Sequence, residues 1–180
     1  MPHFPGNGSR FIRGTGPCRP GRGSSADPGE PRGTVMLVAR RFEACQKSGN
    51  IAKVPMDPGL VGTELREAES DLEIAGKSFK ADNDKWAVKQ SHRAFLHVFR
   101  ALILLKGYEA KGVDCLKYAV DELYVRKGVF AASVLEDFEY GREIAKGNDC
   151  LCVYDRNEIE ELLASTRVIL EKAQEMAEKV

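Results

Sequence analysis

A chain of 180 residues is long enough for one well-buried domain and too short for two of ordinary size. Its 27 lysines and arginines balance 27 aspartates and glutamates, so no overall basic field draws it to nucleic acid, and any such binding needs a local patch. The longest apolar run, Ala101 to Leu105, falls far short of the ~20 residues that span a bilayer, which predicts a soluble protein with no membrane partner.

Residues 1–35 hold six of the eight prolines, eight of the seventeen glycines and five arginines (Arg10, Arg13, Arg19, Arg22, Arg32), with few aliphatic side chains. Such a segment buries too little apolar surface to offset chain entropy, so it is expected to be a disordered tail. The arginines suit a flexible RNA-binding arm. The plainer reading takes "MLVARRFEACQ" as a natural start at Met36 and the preceding segment as a nonfunctional extension. The folded domain is then 36–180.

A short helix is expected from Met36 to about Lys47, broken by Gly49, Pro55, Pro58 and Gly59. Leu65, Ala68, Leu72, Ala75 and Phe79 recur at steps of three and four, the mark of one face of a helix of about five turns. "KADND" ends it and offers caps to the next helix, about Asp84 to Lys106. That helix is apolar on most sides in its latter half, which predicts the central and most buried element. Gly107 closes it.

Val113, Leu116, Val120 and Leu123 mark a third long helix ending near Lys127-Gly128. Ser133-x-x-Glu136 opens a fourth, with Val134, Phe138, Gly141 and Ala145 inward and Gly147 as its C-cap. Asp155-x-x-Glu158 caps the last, whose inward face runs Ile159, Leu162, Thr166, Ile169, Ala173, Met176 and Val180. No stretch shows the alternation of a strand. The fold class expected is all-α, an antiparallel bundle of four or five helices.

Five cysteines (Cys18, Cys45, Cys115, Cys150, Cys152) form an odd set without Cys-x-x-Cys spacing, and the N-terminus lacks the apolar core of a signal peptide. They read as reduced thiols of a cytoplasmic protein, and neither a metal nor another cofactor is expected. On the central helix Gln90, Arg93, His97 and Arg100 form a polar stripe at steps of three, four and three. A cationic stripe of this kind is commonly the wet face of a bundle helix. As a site it suits a phosphate, with guanidinium forks for the oxygens and an imidazole able to move a proton. Near the end of the fourth helix, Arg142 either complements the carbonyl end of the helix dipole or binds a phosphate together with Asn148 just past the cap.

The order of "RFEACQKSGNI", "DPGLVGTELREAESDLEIA", "KWAVKQSHRAFLHVFRALILLKGYEAKG", "CLKYAVDELYV" and "FEYGRE" resembles the HEPN domain (higher eukaryotes and prokaryotes nucleotide-binding) in its small stand-alone form, over about residues 41–180. The run from Trp86 through Gly107-Tyr108 carries most of the likeness. The resemblance implies a helical bundle that commonly dimerises and binds nucleotide or nucleic acid. It also implies a minimal nucleotidyltransferase as a partner in toxin–antitoxin pairs, and in active members metal-independent RNA cleavage by an arginine followed after four to six residues by a histidine. Arg142 stands where that arginine belongs, but five residues intervene before Asn148, which cannot change protonation near neutral pH. The expectation is therefore a noncatalytic homodimer binding nucleotide or nucleic acid through Arg142 and Asn148, with Arg93, His97 and Arg100 as further candidates. The alternatives are an RNA-cleaving toxin using His97 as the missing imidazole, and a helical interaction module without a ligand.

Overall fold

The computed structural model describes residues 32–146 and 155–179. In chain order these form α1 (Arg32–Lys47), β1 (Ile51–Lys53), α2 (Pro58–Lys80), α3 (Asp84–Leu105), β2 (Tyr108–Ala110), α4 (Val113–Val120) continued by a π-helical turn (Asp121–Val125), α5 (Ser133–Lys146) and α6 (Arg156–Ala177). The mostly helical architecture is the one the periodicity predicts.

Local chemistry sets the helix ends. The Asp57 carboxylate accepts from the amides of Gly59 (2.8 Å) and Leu60 (3.3 Å), and Pro58 takes the first helical position, where a missing N–H costs nothing. Pro58 and Gly59 thus begin α2 rather than belonging to the break before it. Asn83 caps α3 through the Trp86 amide (3.3 Å), and Asp155 caps α6 through the Asn157 amide (2.9 Å). Gly107 ends α3 with φ +71°, which L side chains rarely adopt, and a Cβ there would lie 3.1 Å from the Val54 carbonyl.

Side-chain pairs give the helix directions. Phe138 of α5 packs on Phe95 and Phe99 of α3 while Gly141, one turn on, abuts His92, so α5 runs antiparallel to α3. Asp137 bonds Ser165, and Tyr140 bonds Glu158, so α5 also opposes α6. By contrast, Asp84–Arg156 and Ser91–Thr166 place α6 parallel to α3. The bundle is therefore α2 and α5 running one way against α3 and α6, with α3 touching the other three.

Thirteen residues of α3 are buried, which confirms it as the core rod. Its aromatic centre is Phe95, Phe99 and Phe138, with Phe99 and Phe138 stacked at 4.6 Å between centroids. Tyr124 of the π-helical turn is fully buried and donates to the Leu102 carbonyl (2.6 Å), and burial raises its phenol above the ordinary tyrosine range.

Two expectations are corrected. There is a sheet, the antiparallel pair β1–β2 with Ile51 opposite Ala110 and Lys53 opposite Tyr108. Three residues are too few to display an alternating pattern, and the pairing joins segments far apart in sequence. Two of the cysteines are not thiols: Cys45 of α1 and Cys115 of α4 form a disulfide, Cα to Cα 5.9 Å, across 70 residues. Nothing in the cysteine spacing signals that pairing, because it follows from the docking of α1 on α4. No helix among the described residues is long and apolar enough to cross a membrane. The tail up to residue 31, with Cys18 and His3, lies outside the described residues, as do Gly147, Asn148, Asp149, Cys150, Cys152 and Val180.

Candidate functional site

The candidate residues fall into two groups on opposite sides of α3. His92 meets α5, its ring 5.1 Å from that of Phe138, whereas His97, five positions on and about 140° around the helix, meets α2.

On the α5 side, Arg142 joins a small ionic network. Its Nη1 donates to Asp114 Oδ1 of α4 (2.5 Å) and makes a long bond to Glu139 Oε1 (3.4 Å). Glu139 also accepts from Lys117 Nζ (2.5 Å), and Lys146 bonds Glu143 one turn further along α5 (3.0 Å). The result is three cations, Lys117, Arg142 and Lys146, interleaved with three carboxylates. Among the described residues both hydrogen bonds of Arg142 use Nη1, so the Nε–Nη2 edge of its fork carries none. The Arg142 side chain is 18% exposed, while its principal counter-ion Asp114 is 60% exposed. The hydrogen bond from Arg142 holds the Asp114 carboxyl below its ordinary range.

Beneath this network lies His92, 8% exposed, with Nδ1 unpartnered. Burial first, and then the Arg142 charge, lower its pKa to about 4, so the imidazole is neutral at pH 7. Gly141 faces His92 and Leu162, where a Cβ would make ordinary contacts with His92 Cβ and Leu162 Cδ2, each at 3.5 Å.

On the α2 side the polar stripe is neither simply wet nor simply a site. Gln90 is buried with Oε1 unpartnered. His97 is held between two carboxylates of α2, with Nδ1 2.7 Å from Glu64 Oε2 and Nε2 3.7 Å from Asp71 Oδ2. Arg93 Nε lies 3.4 Å from the same Asp71 oxygen, which still lacks a partner in hydrogen-bonding geometry, and burial pushes the Asp71 carboxyl up. The stripe is thus largely a helix–helix seam, matched to acidic groups on α2 that share a face because they are seven residues apart. Only Arg100 of its cations has no ion pair among the described residues. It lines an open cleft of about 630 Å³ with Val54, Leu60, Ile103, Glu64 and Glu109. Three carboxylates there, Asp57 included, make the cleft a poor seat for phosphate.

The structure therefore brings together neither His97 nor the Arg93–Arg100 stripe with Arg142 within one chain. Sequence reasoning missed the partners Asp114, Glu139 and Lys117, and it passed over His92 in favour of His97. The lone signal for His92 was its position five residues earlier on a helix of known period, which separates the two histidines by face but does not say which face meets α5. No group of three or more His, Cys, Asp or Glu among the described residues is arranged to hold a metal. No protein-family model matches the chain, and no characterised protein does.

Proposed function

We propose that the chain is a HEPN-like bundle that binds a nucleotide or nucleic acid through Arg142, without catalysis. The observation that supports it is the Nε–Nη2 edge, without a hydrogen bond among the described residues, of a guanidinium already oriented by Asp114 and Glu139. That edge suits two phosphate oxygens in the bidentate manner. Lys117 and Lys146 stand on either side to add charge. A phosphate on the Nε–Nη2 edge leaves the Asp114 bond to Nη1 in place, so binding does not require that ion pair to break. A homodimer and a minimal nucleotidyltransferase partner, with a toxin–antitoxin role, belong to the same reading and rest on the HEPN resemblance alone; the cytoplasmic setting rests on reduced thiols, and the Cys45–Cys115 disulfide weighs against that basis.

The test is titration of a fluorescent single-stranded RNA and of a nucleoside triphosphate at several salt concentrations. Arg142→Ala should weaken binding about tenfold and lower the salt slope by about 1, while Arg93→Ala leaves both unchanged. Equal affinity and slope in wild type and Arg142→Ala would remove Arg142 from the phosphate contact. No binding of either ligand leaves the helical interaction module.

One observation favours the rival reading of an RNA-cleaving toxin. A neutral imidazole, His92, lies against the helix that carries Arg142, so it rather than His97 is the proton carrier within reach of that arginine's neighbourhood. Cleavage of structured RNA in chelator, lost in both Arg142→Ala and His92→Gln, would establish it.

A further inference from the structure

The cleft lined by α2, the end of α3 and β2 takes no part in the Arg142 site. Backbone bonds hold its walls in place: the Gly59 and Leu60 amides bond the Asp57 carboxylate at the start of α2, and the Val54 amide to the Gly107 carbonyl (2.9 Å) and the Lys111 amide to the Asn50 carbonyl (2.7 Å) pin the two ends of the β1–β2 pair. The cleft holds about 630 Å³, within the roughly 300–1,000 Å³ of small-molecule sites. Of its apolar lining, Ile103 and Leu104 are buried, whereas Leu60 is 54% exposed and so has surface left to cover. Its charged groups differ in how far they are already engaged. Asp57 Oδ1 is taken by the two cap amides, and Glu64 Oε2 by His97 Nδ1 (2.7 Å). Arg100 and Glu109 are both exposed, and among the described residues neither has a hydrogen bond or an ion pair, with each other included. A cation and an anion that share one cleft without pairing leave a seat for a molecule carrying one charge of each sign.

We propose that this cleft binds a basic residue with a free α-carboxylate, an arginine or lysine that is either a free amino acid or the C-terminal residue of a peptide. Arg100 takes the carboxylate in the bidentate manner, Glu109 takes the side-chain cation, and the methylene stem between them lies along Leu60 and Val54. The two charges of a plain α-amino acid sit on one carbon and leave no such stem, whereas a basic side chain sets a run of methylenes between cation and carboxylate. Asp57 and Glu64 add negative potential, which favours a ligand with a cationic end and disfavours a phosphate dianion. The site is independent of Arg142, which lies on the α5 side of α3.

Calorimetric titration of the full chain with Nα-acetyl-L-arginine tests this, since that molecule carries one guanidinium and one carboxylate. Saturable binding with a Kd of about 1 mM or tighter is expected. Nα-acetyl-L-arginine amide lacks the carboxylate and Nα-acetyl-L-citrulline lacks the side-chain charge, and each should bind at least about fivefold more weakly. Arg100→Gln should abolish the preference for the acid over the amide, and Glu109→Gln the preference over the citrulline compound, each leaving the other preference in place. Both side chains are exposed, so neither substitution disturbs the core. Free L-arginine and leucyl-arginine separate the two sources: tighter binding of the amino acid assigns the cleft to a small molecule, tighter binding of the dipeptide to a C-terminus, and either order supports the site. No saturation by about 10 mM, equal affinity for the acid, the amide and the citrulline compound, or preferences unchanged in both variants would overturn it.

Discussion

His92 makes the stability of this protein depend on pH in the mildly acid range. It is neutral in the fold with a pKa of about 4, against an ordinary 6.5. Between those values the unfolded chain holds a proton that the folded chain refuses, so stability is full above pH 6.5 and falls as pH drops toward 4. The shift corresponds to about 3 kcal/mol over the window. The groups that act on the imidazole are Arg142 and Lys146, which oppose its protonation, and Glu139, which favours it. Urea denaturation of wild type and His92→Gln at pH 7.5 and 4.5 should therefore show a smaller acid loss in the variant. Asp71, whose pKa is raised by burial, contributes with the opposite sign: its share of stability is present at low pH and declines as pH rises through its folded value. The difference between the two proteins isolates His92 because Asp71 is present in both.

Arg156, in the first turn of α6, ties three elements together at one end of the bundle. Its Nη1 lies 2.8 Å from both Asp84 and Asp82, Nη2 donates to the Phe79 carbonyl (2.9 Å), and the guanidinium sits 4.3 Å from the centroid of the Phe79 ring. The Phe79 carbonyl belongs to the last turn of α2, where helix carbonyls lack intrahelical partners. Arg156→Ala should lower stability by about 1 kcal/mol, the scale of one cation–π contact and a half-exposed ion pair. Arg156→Lys should restore only part, because an ammonium does not offer the planar fork. Thermal unfolding of the three proteins checks this. The elements themselves were largely readable along the chain. Asn83 and Asp155 cap the helices they were expected to cap, and α3 spans the expected range to within a residue. The π-helical turn was not readable. It interrupts the run from Val113 to Leu123 that periodicity joins into one helix, and it is there that Tyr124 turns inward to reach the Leu102 carbonyl of α3.

At the scale of the whole molecule, one rod and one aromatic cluster dominate. Phe99 is fully buried between Phe95 and Phe138, and through Phe138 it couples α3 to the helix that carries Arg142. Phe99→Ala should cost about 3–5 kcal/mol, a large share of the roughly 5–15 kcal/mol that holds a domain together. A fall in the urea midpoint with an unchanged slope would show that the core loosens without losing two-state behaviour. The same cluster explains why the candidate site lies on the α5 side of α3. Stacking Phe138 on Phe99 sets the rotation of α5, and that rotation carries Gly141 onto His92 and Arg142 toward α4.

Where helices begin, where they end and which stripe of each is dry follow from interactions within about four residues, and those were present in the order of the amino acids. Asp57, Asn83 and Asp155 cap their own next turn whatever the rest of the molecule does. The pairing of Cys45 with Cys115, of Arg142 with Asp114 and of His97 with Glu64 joins residues 70, 28 and 33 positions apart. Each depends on how one helix is rotated and crossed against another. Those angles are set by the simultaneous packing of Phe95, Phe99, Phe138 and their neighbours, a condition no local stretch contains.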